Sequence, residues 1–204
     1  GAADAISAEV AQLSALLAFE TGKNRLEALG EVEEAAEFFR YYGRLMTEHN
    51  GFTTELGTLS ANERNRSVLK PVGVWGVIAP FNYPMALTTG PTSAALLAGN
   101  TVVLKPSDRG AAMARELVRV LHGAGVPPGA VNLLPGGDVV GAALVSHDGV
   151  DGLTFTGSHD VGMRILKGFS RAFAKPTICE MGGKNPTIVS ATADLDLAAG
   201  GVSR

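Results

Sequence analysis

From residue 71 onward, short apolar runs alternate with amphipathic segments, and no other feature of this 204-residue chain narrows its fold so far. The runs over residues 73–79, 101–105, 131–134, 152–155 and 176–180 are rich in aliphatic and β-branched side chains, as strands buried on both faces are. Segments of helical period over residues 87–97, 110–123, 139–146 and 161–169 separate them. Parallel strands need a crossover of about a dozen residues or more, usually a helix. The alternation therefore predicts an α/β fold with a doubly wound parallel sheet, Rossmann-like, over residues 71–204.

Upstream of residue 71 the period changes. Ile6, Val10, Leu13, Leu16 and Leu17 recur near helical spacing and predict one helix over residues 5–19, stopped by Thr21-Gly22-Lys23. A second helix is predicted over residues 26–45, where Glu31, Glu33, Glu34 and Glu37 precede Arg40 and Arg44. That order suits the helix dipole, and the charges read as a solvated face without chemistry. Between residues 51 and 70 the helical period is lost, and Thr-rich runs separated by Gly57 and by Asn62-Glu63-Arg64-Asn65 predict a strand excursion. The expected organisation is N-terminal helices over 1–50, the excursion over 51–70 and the sheet domain over 71–204.

Composition removes several classes of function. A net charge of −3, with Lys and Arg scattered, offers no basic stripe for phosphates, so no nucleic-acid partner is expected. Apolar stretches are broken by Gly, Pro or Asn well short of the ~20 residues of a membrane span, so no membrane partner is expected either. The single cysteine, Cys179, excludes an internal disulfide framework and points to a reducing compartment, with a cytoplasmic location as the expectation. The start has no signal-peptide pattern and no initiator Met, and the end reads as an interrupted helix, so the chain is expected to be an internal stretch of a longer protein.

In open α/β sheets, ligands sit beyond the carboxyl ends of the strands. Lys105 follows an apolar run, so its ammonium is expected at a strand's mouth, where a cofactor's hydroxyls or phosphate can accept its hydrogen bonds. Asp108 beside it suits a ribose diol, while Ser107 or Asp108 suits a helix N-cap equally well. Pro135-Gly136-Gly137-Asp138 is glycine-rich but matches neither a dinucleotide fingerprint nor a phosphate loop. Phe155-Thr156-Gly157-Ser158 follows a strand and opens a helix, a place for a pyrophosphate or a flat ring, although Gly157 reads equally as turn chemistry.

Cys179 and Glu180 are neighbours on a predicted strand, so their side chains face opposite ways. The apolar-flanked thiol reads as a small buried hydrophobe, and Glu180 as a candidate general base. Asn82 lies in Pro80-Phe81-Asn82-Tyr83-Pro84, where two prolines stiffen the turn and can fix an amide donor for a developing oxyanion; an ordinary turn Asn is the competing reading. The four histidines show no metal-ligand spacing, and no metal site is expected.

Taken in order and spacing, Pro80-Phe81-Asn82-Tyr83-Pro84, Gly99-Asn100-Thr101-Val102-Val103-Leu104-Lys105-Pro106-Ser107, Phe155-Thr156-Gly157-Ser158 and Glu180-Met181-Gly182-Gly183-Lys184 resemble the aldehyde dehydrogenase superfamily. The resemblance runs from about Leu13 to the last residue. It implies NAD- or NADP-dependent oxidation of a small-molecule aldehyde to an acid, in which a cysteine thiolate attacks the carbonyl, hydride passes to nicotinamide and water hydrolyses the thioester. By the same resemblance, Asn82 is the oxyanion amide and Glu180 the general base. Lys105, Ser107 and Asp108 clamp the adenosine ribose, and Ile78, Pro80 and Phe81 line the cofactor cleft. Gly141 and Val161 flank the adenine, with Phe155, Gly157 and Ser158 near the pyrophosphate and nicotinamide. The excursion over 51–70 corresponds to an oligomerisation segment, which implies a homo-oligomeric parent.

Three departures qualify the match. Asp108 stands where many NAD-preferring members carry Glu, and the shorter carboxylate leaves room for a 2′-phosphate. The loop at Pro135 is short for the family. The family's nucleophilic Cys lies a few tens of residues beyond Glu-Met-Gly-Gly, past Arg204, so Cys179 is not that residue and the isolated chain is expected to be inactive. Glu63-Arg64-Asn65 and the motifs at Phe81 and Glu180 resemble the pyrroline-5-carboxylate and benzaldehyde or vanillin dehydrogenase branches. A catalytically inactive nucleotide-binding or structural homologue is the alternative function. An unrelated hydrolase or kinase lacks support, since neither a Gly-x-Ser-x-Gly elbow nor a phosphate-loop lysine motif is present.

Overall fold

The computed structural model describes residues 1–171 and 173–203. The predicted first helix is two, α1 (Ala2–Ala8) and α2 (Val10–Thr21), bent by 72°. Glu9 leaves helical geometry at φ −106° and ψ 14°, and its carboxylate pairs with Arg119. Apolar residues keep their period through the break, which is why the sequence pattern reads as continuous. Gly22 ends α2 in the left-handed conformation, φ 74°, as the Thr21-Gly22-Lys23 signal implies. Asn24 then caps α3 (Arg25–Glu48), its Oδ1 accepting from the Glu27 amide at 2.9 Å. Ile6, Leu13, Leu17, Val32, Ala35 and Ala36 of these helices share one core.

One expectation for α3 fails. Glu31, read as part of a solvated face, is only 2% exposed. A second helix crosses α3 there and brings its own N-terminus against the carboxylate, a long-range contact that charge spacing along α3 does not record.

Strands β1 (Thr53–Glu55) and β2 (Arg66–Val68) form a separate antiparallel ribbon, with Thr53 opposite Val68 and Arg64 paired with Glu55 at 2.8 Å. The main sheet follows: β3 (Val74–Ile78), α4 (Ala86–Leu97), β4 (Thr101–Lys105), α5 (Ala111–Gly123), β5 (Val131–Leu133), α6 (Asp138–Ser146), β6 (Gly152–Gly157), α7 (His159–Gly168) and β7 (Thr177–Met181), with α8 (Leu195–Val202) last. The five strands are parallel in the order β5-β4-β3-β6-β7. Alternation along the strands fills two cores. Val77, Val102 and Leu104 join α1 to α5 on one face, while Ile78, Val103, Leu153 and Phe155 join α6 and α7 on the other. This is a doubly wound α/β sheet. No single helix among the described residues is long and apolar enough to cross a membrane.

The start of β3 is tied down by two side chains from elsewhere. Asn100 Oδ1 accepts from the Val72 and Gly73 amides at 2.8 and 3.2 Å, and Asp151 Oδ2 accepts from the Val74 amide at 2.9 Å. Gly73 has φ +132°, and a Cβ there would lie 2.3 Å from Asp151 Oδ2, so both its conformation and its neighbour require glycine.

Candidate functional site

Strand β3 has β4 on one side and β6 on the other, so successive crossovers leave in opposite directions and a crevice opens above their carboxyl ends. A cleft of about 1190 Å³ occupies that crevice, somewhat larger than the ~300–1,000 Å³ of ordinary small-molecule sites. Each residue that the resemblance assigns to catalysis or to the cofactor lines it. Ile78, Pro80, Phe81 and Asn82 come from the end of β3 and the turn that follows. Lys105, Ser107 and Asp108 come from the end of β4, Gly141 from α6, Phe155, Gly157, Ser158 and Val161 from β6 and α7, and Glu180 from β7.

Lys105 ends β4 opposite Ile78 and is only 7% exposed. Its Nζ donates to the Pro106 carbonyl at 2.8 Å. Of Ser107 and Asp108, the structure identifies the cap alone. Ser107 is the N-cap, its Oγ accepting from the Arg109 amide at 3.3 Å, while Asp108 is exposed and its carboxylate makes no hydrogen bond among the described residues. Two glycines keep this corner open. A Cβ on Gly137 would lie 3.2 Å from Asp108 Oδ2, and one on Gly141 would lie 3.3 Å from Lys105 Cε. Beside them Gly136 has φ +144°, so the glycine-rich loop at residue 135 serves backbone shape and clearance.

Gly157 is not turn chemistry. It is the last residue of β6, opposite Met181, and a Cβ on it would meet Phe155 Cζ at 2.6 Å. The Phe155 ring lies over this glycine, which explains the small residue at that site. Ser158 then caps α7, its Oγ accepting from the Val161 amide at 3.4 Å. On β7 the alternation holds: Cys179 and Met181 pack toward the second core, while Glu180 is exposed and lines the cleft. Cys179 is half-buried, and burial pushes its thiol pKa up, away from the thiolate a nucleophile needs.

Some cleft residues were not anticipated. Arg109 lies with its guanidinium carbon 5.3 Å from the centre of the Phe81 ring, and Arg164 of α7 also lines the cleft. A helical spacing of three from Val161 to Arg164 was the available signal for the second. Glu20 of α2 reaches across to the N-terminus of α5, accepting from the Ala112 and Met113 amides at 2.8 and 2.9 Å. Nothing local in the sequence marks that contact, which spans more than ninety residues.

Comparison with known proteins agrees with this geometry. The aldehyde dehydrogenase family model matches residues 1–204. The chain is 42% identical over 195 residues to a 1-pyrroline-5-carboxylate dehydrogenase of Bacillus cytotoxicus, covering 92% of this chain and 37% of that protein. Among solved structures, an NAD-dependent aldehyde dehydrogenase from Sinorhizobium meliloti aligns with TM-score 0.92 at 33% identity, over 98% of this chain and 40% of that one. Proline utilization A from Bdellovibrio bacteriovorus aligns with TM-score 0.92 at 38% identity, over 99% and 22%. A betaine aldehyde dehydrogenase from Staphylococcus aureus, solved with NAD+, aligns with TM-score 0.91 at 28% identity, over 98% and 40%. The chain thus spans well under half the length of each of these relatives. With its whole length matched by that family's model, this chain belongs to the aldehyde dehydrogenase family.

Proposed function

We propose that the chain supplies the cofactor-binding part of a longer enzyme that oxidises an aldehyde to a carboxylic acid with NAD or NADP. The observation that carries this reading is the convergence of residues from β3, β4, β6, β7 and α6 on one cleft at the switch point. The cleft suits a dinucleotide on its own terms. Lys105 is a buried cation whose hydrogen bond goes to a neutral carbonyl, Asp108 is a carboxylate near it with no hydrogen-bond partner among the described residues, and Gly137 and Gly141 leave the space around both unfilled. Lys105, Ser107 and Asp108 would hold the adenosine ribose, Gly141 and Val161 the adenine, and Ile78, Pro80, Phe81, Phe155, Gly157 and Ser158 the rest of the cofactor. Such a cofactor would supply the hydride acceptor for oxidation of the aldehyde carbon.

Asn82 donates its side-chain amide to the carbonyl oxygen as negative charge develops there. Glu180 accepts a proton from the attacking thiol or from water. The thiol is not Cys179, which packs on the core side of β7, opposite to Glu180. The ribbon of β1 and β2 is proposed to pair subunits in a homo-oligomer, and the enzyme to work in the cytoplasm. The natural first substrate to test is the one named for the Bacillus relative, 1-pyrroline-5-carboxylate in its open aldehyde form.

The test is reduced-cofactor formation by the longer protein carrying this chain, with a panel of aldehydes. Asn82→Ala and Glu180→Gln are each expected to lower kcat about 10²–10³-fold with NAD binding retained. Tight NAD binding without turnover of any aldehyde would favour the inactive homologue instead. Absence of both binding and turnover would sink the proposal.

A further inference from the structure

Two carboxylates from the N-terminal helices rest on the N-termini of the helices that follow β3 and β4. Glu20 serves α5, as described above. Glu31 serves α4: its Oε1 accepts from the Met85 and Ala86 amides at 2.8 and 3.2 Å. Its other oxygen, Oε2, pairs with Lys23 Nζ, and the side chains of this pair are 0% and 11% exposed respectively. Lys23 Nζ also sits 3.3 Å from the centre of the Tyr83 ring. Residues 83 to 86 begin immediately after Asn82, so the pair grips the chain directly downstream of the proposed oxyanion amide.

Upstream of Asn82 the chain is held as well. The Ala79 amide donates to the Lys105 carbonyl at 3.1 Å, and Phe81 lies under the Arg109 guanidinium. Asn82 is therefore the exposed apex of a short turn whose two flanking rings each lie beneath a cation. A buried ion pair is a poor source of net stability, because desolvation offsets its Coulomb attraction and apolar replacements often fold as well. Stability alone therefore does not account for a charged pair at this place.

We propose that Lys23 and Glu31 are positioning residues for Asn82: Glu31 fixes the first amides of α4, and Lys23 seats Tyr83, so that the amide is presented to the cleft in one orientation. The inference rests on the oxyanion role assigned to Asn82 above. It gives the N-terminal helices a part in catalysis at a distance, through backbone placement, with no contact to substrate.

The neutral double variant Lys23→Met with Glu31→Gln keeps an acceptor for the Met85 and Ala86 amides but removes the cation over Tyr83. Tyr83→Leu removes the ring and leaves the ion pair. In the longer enzyme, both are expected to lower kcat about 10–100-fold, as a misplacement near 1 Å does, with the NAD Kd and thermal midpoint unchanged. Lys23→Arg, which can both pair and stack, should restore most of kcat. Hydrogen exchange read by mass spectrometry should quicken over residues 80–86 and stay unchanged in β3 and β4. Unaltered exchange in the turn overturns the positioning role, and so does a loss of kcat that only tracks a uniform fall in thermal midpoint. Should the parent enzyme oxidise no aldehyde, the functional reading fails on that ground, while the exchange measurement still decides whether the pair holds the turn.

Discussion

Replacing Lys105 by Met separates a binding role from a structural one. Lys105 is 7% exposed, and the hydrogen bond of its ammonium among the described residues goes to the Pro106 carbonyl at 2.8 Å. Withdrawing such a cation from water costs several kcal/mol, and a hydrogen bond made by a charged group returns only about 1.5–3 kcal/mol. Methionine keeps the apolar stem, which passes 3.3 Å from the Cβ position of Gly141, and removes the desolvation cost. It leaves the buried Pro106 carbonyl without that donor, a penalty of about 1–3 kcal/mol, so the two changes largely offset each other. Folding stability is expected to stay the same or rise slightly. Cofactor affinity should fall by the worth of one charge-assisted hydrogen bond, about 1.5–3 kcal/mol, or about 10- to 150-fold in Kd. Calorimetry with NAD and NADP reads the affinity, and thermal unfolding reads the stability. For a chain of this size about 1 kcal/mol corresponds to roughly 2–4 °C. A variant that binds NAD as tightly as the parent but melts several degrees lower would refute the reasoning and make Lys105 a structural residue.

Other outcomes follow from the same geometry. Gly157→Ala places a methyl 2.6 Å from Phe155 Cζ, and the displaced ring should cost about 1–3 kcal/mol in denaturant unfolding; an unchanged midpoint would mean that the ring has free room to move. Because burial raises the Cys179 pKa, the thiol stays protonated at neutral pH, and alkylation by iodoacetamide should be slow at pH 7 and accelerate only above its ordinary value of about 8.5, whereas rapid labelling of the folded chain at pH 7 would contradict that environment. Hydrogen bonding from Arg119 holds the Glu116 carboxyl below its ordinary range. The folded pKa is depressed, so the stabilisation is present above the unfolded value of about 4.3 and is lost as pH falls through the folded one. Arg119→Ala should weaken this contribution while Arg115 keeps its own hydrogen bonds to Glu116, and an acid-unfolding curve identical to the parent's would count against the contact.

The elements of the sheet were legible because a doubly wound fold writes itself in local pattern. Strand β4 falls on residues 101–105 as the apolar run requires, and the ends of β3 and β5 to β7 move by one or two residues. The cleft residues were legible for a related reason. In such a sheet the carboxyl ends of neighbouring strands lie together, so motifs at Pro80, Lys105, Phe155 and Glu180 that are far apart in sequence fall around one crevice. Glu180 and Cys179 were assigned to opposite faces from alternation alone, and the structure places them so. What misled was a charge with a distant partner. Glu31 belongs by spacing to an acidic helix face, and its true neighbours are amides at positions 85 and 86.

The sequence by itself determined the order of strands and helices along the chain, the strand-end segments that line the cleft and the opposing faces of β7, because each follows from the two-residue period of a strand or the 3.6-residue period of a helix. Only the tertiary structure decided that Glu9 breaks the first helix, that Glu20 and Glu31 cap α5 and α4, and that cations lie over Phe81 and Tyr83. These contacts join residues of different elements that only the tertiary fold brings together. Local periodicity carries no record of them, and their energies depend on a burial that no single segment possesses alone.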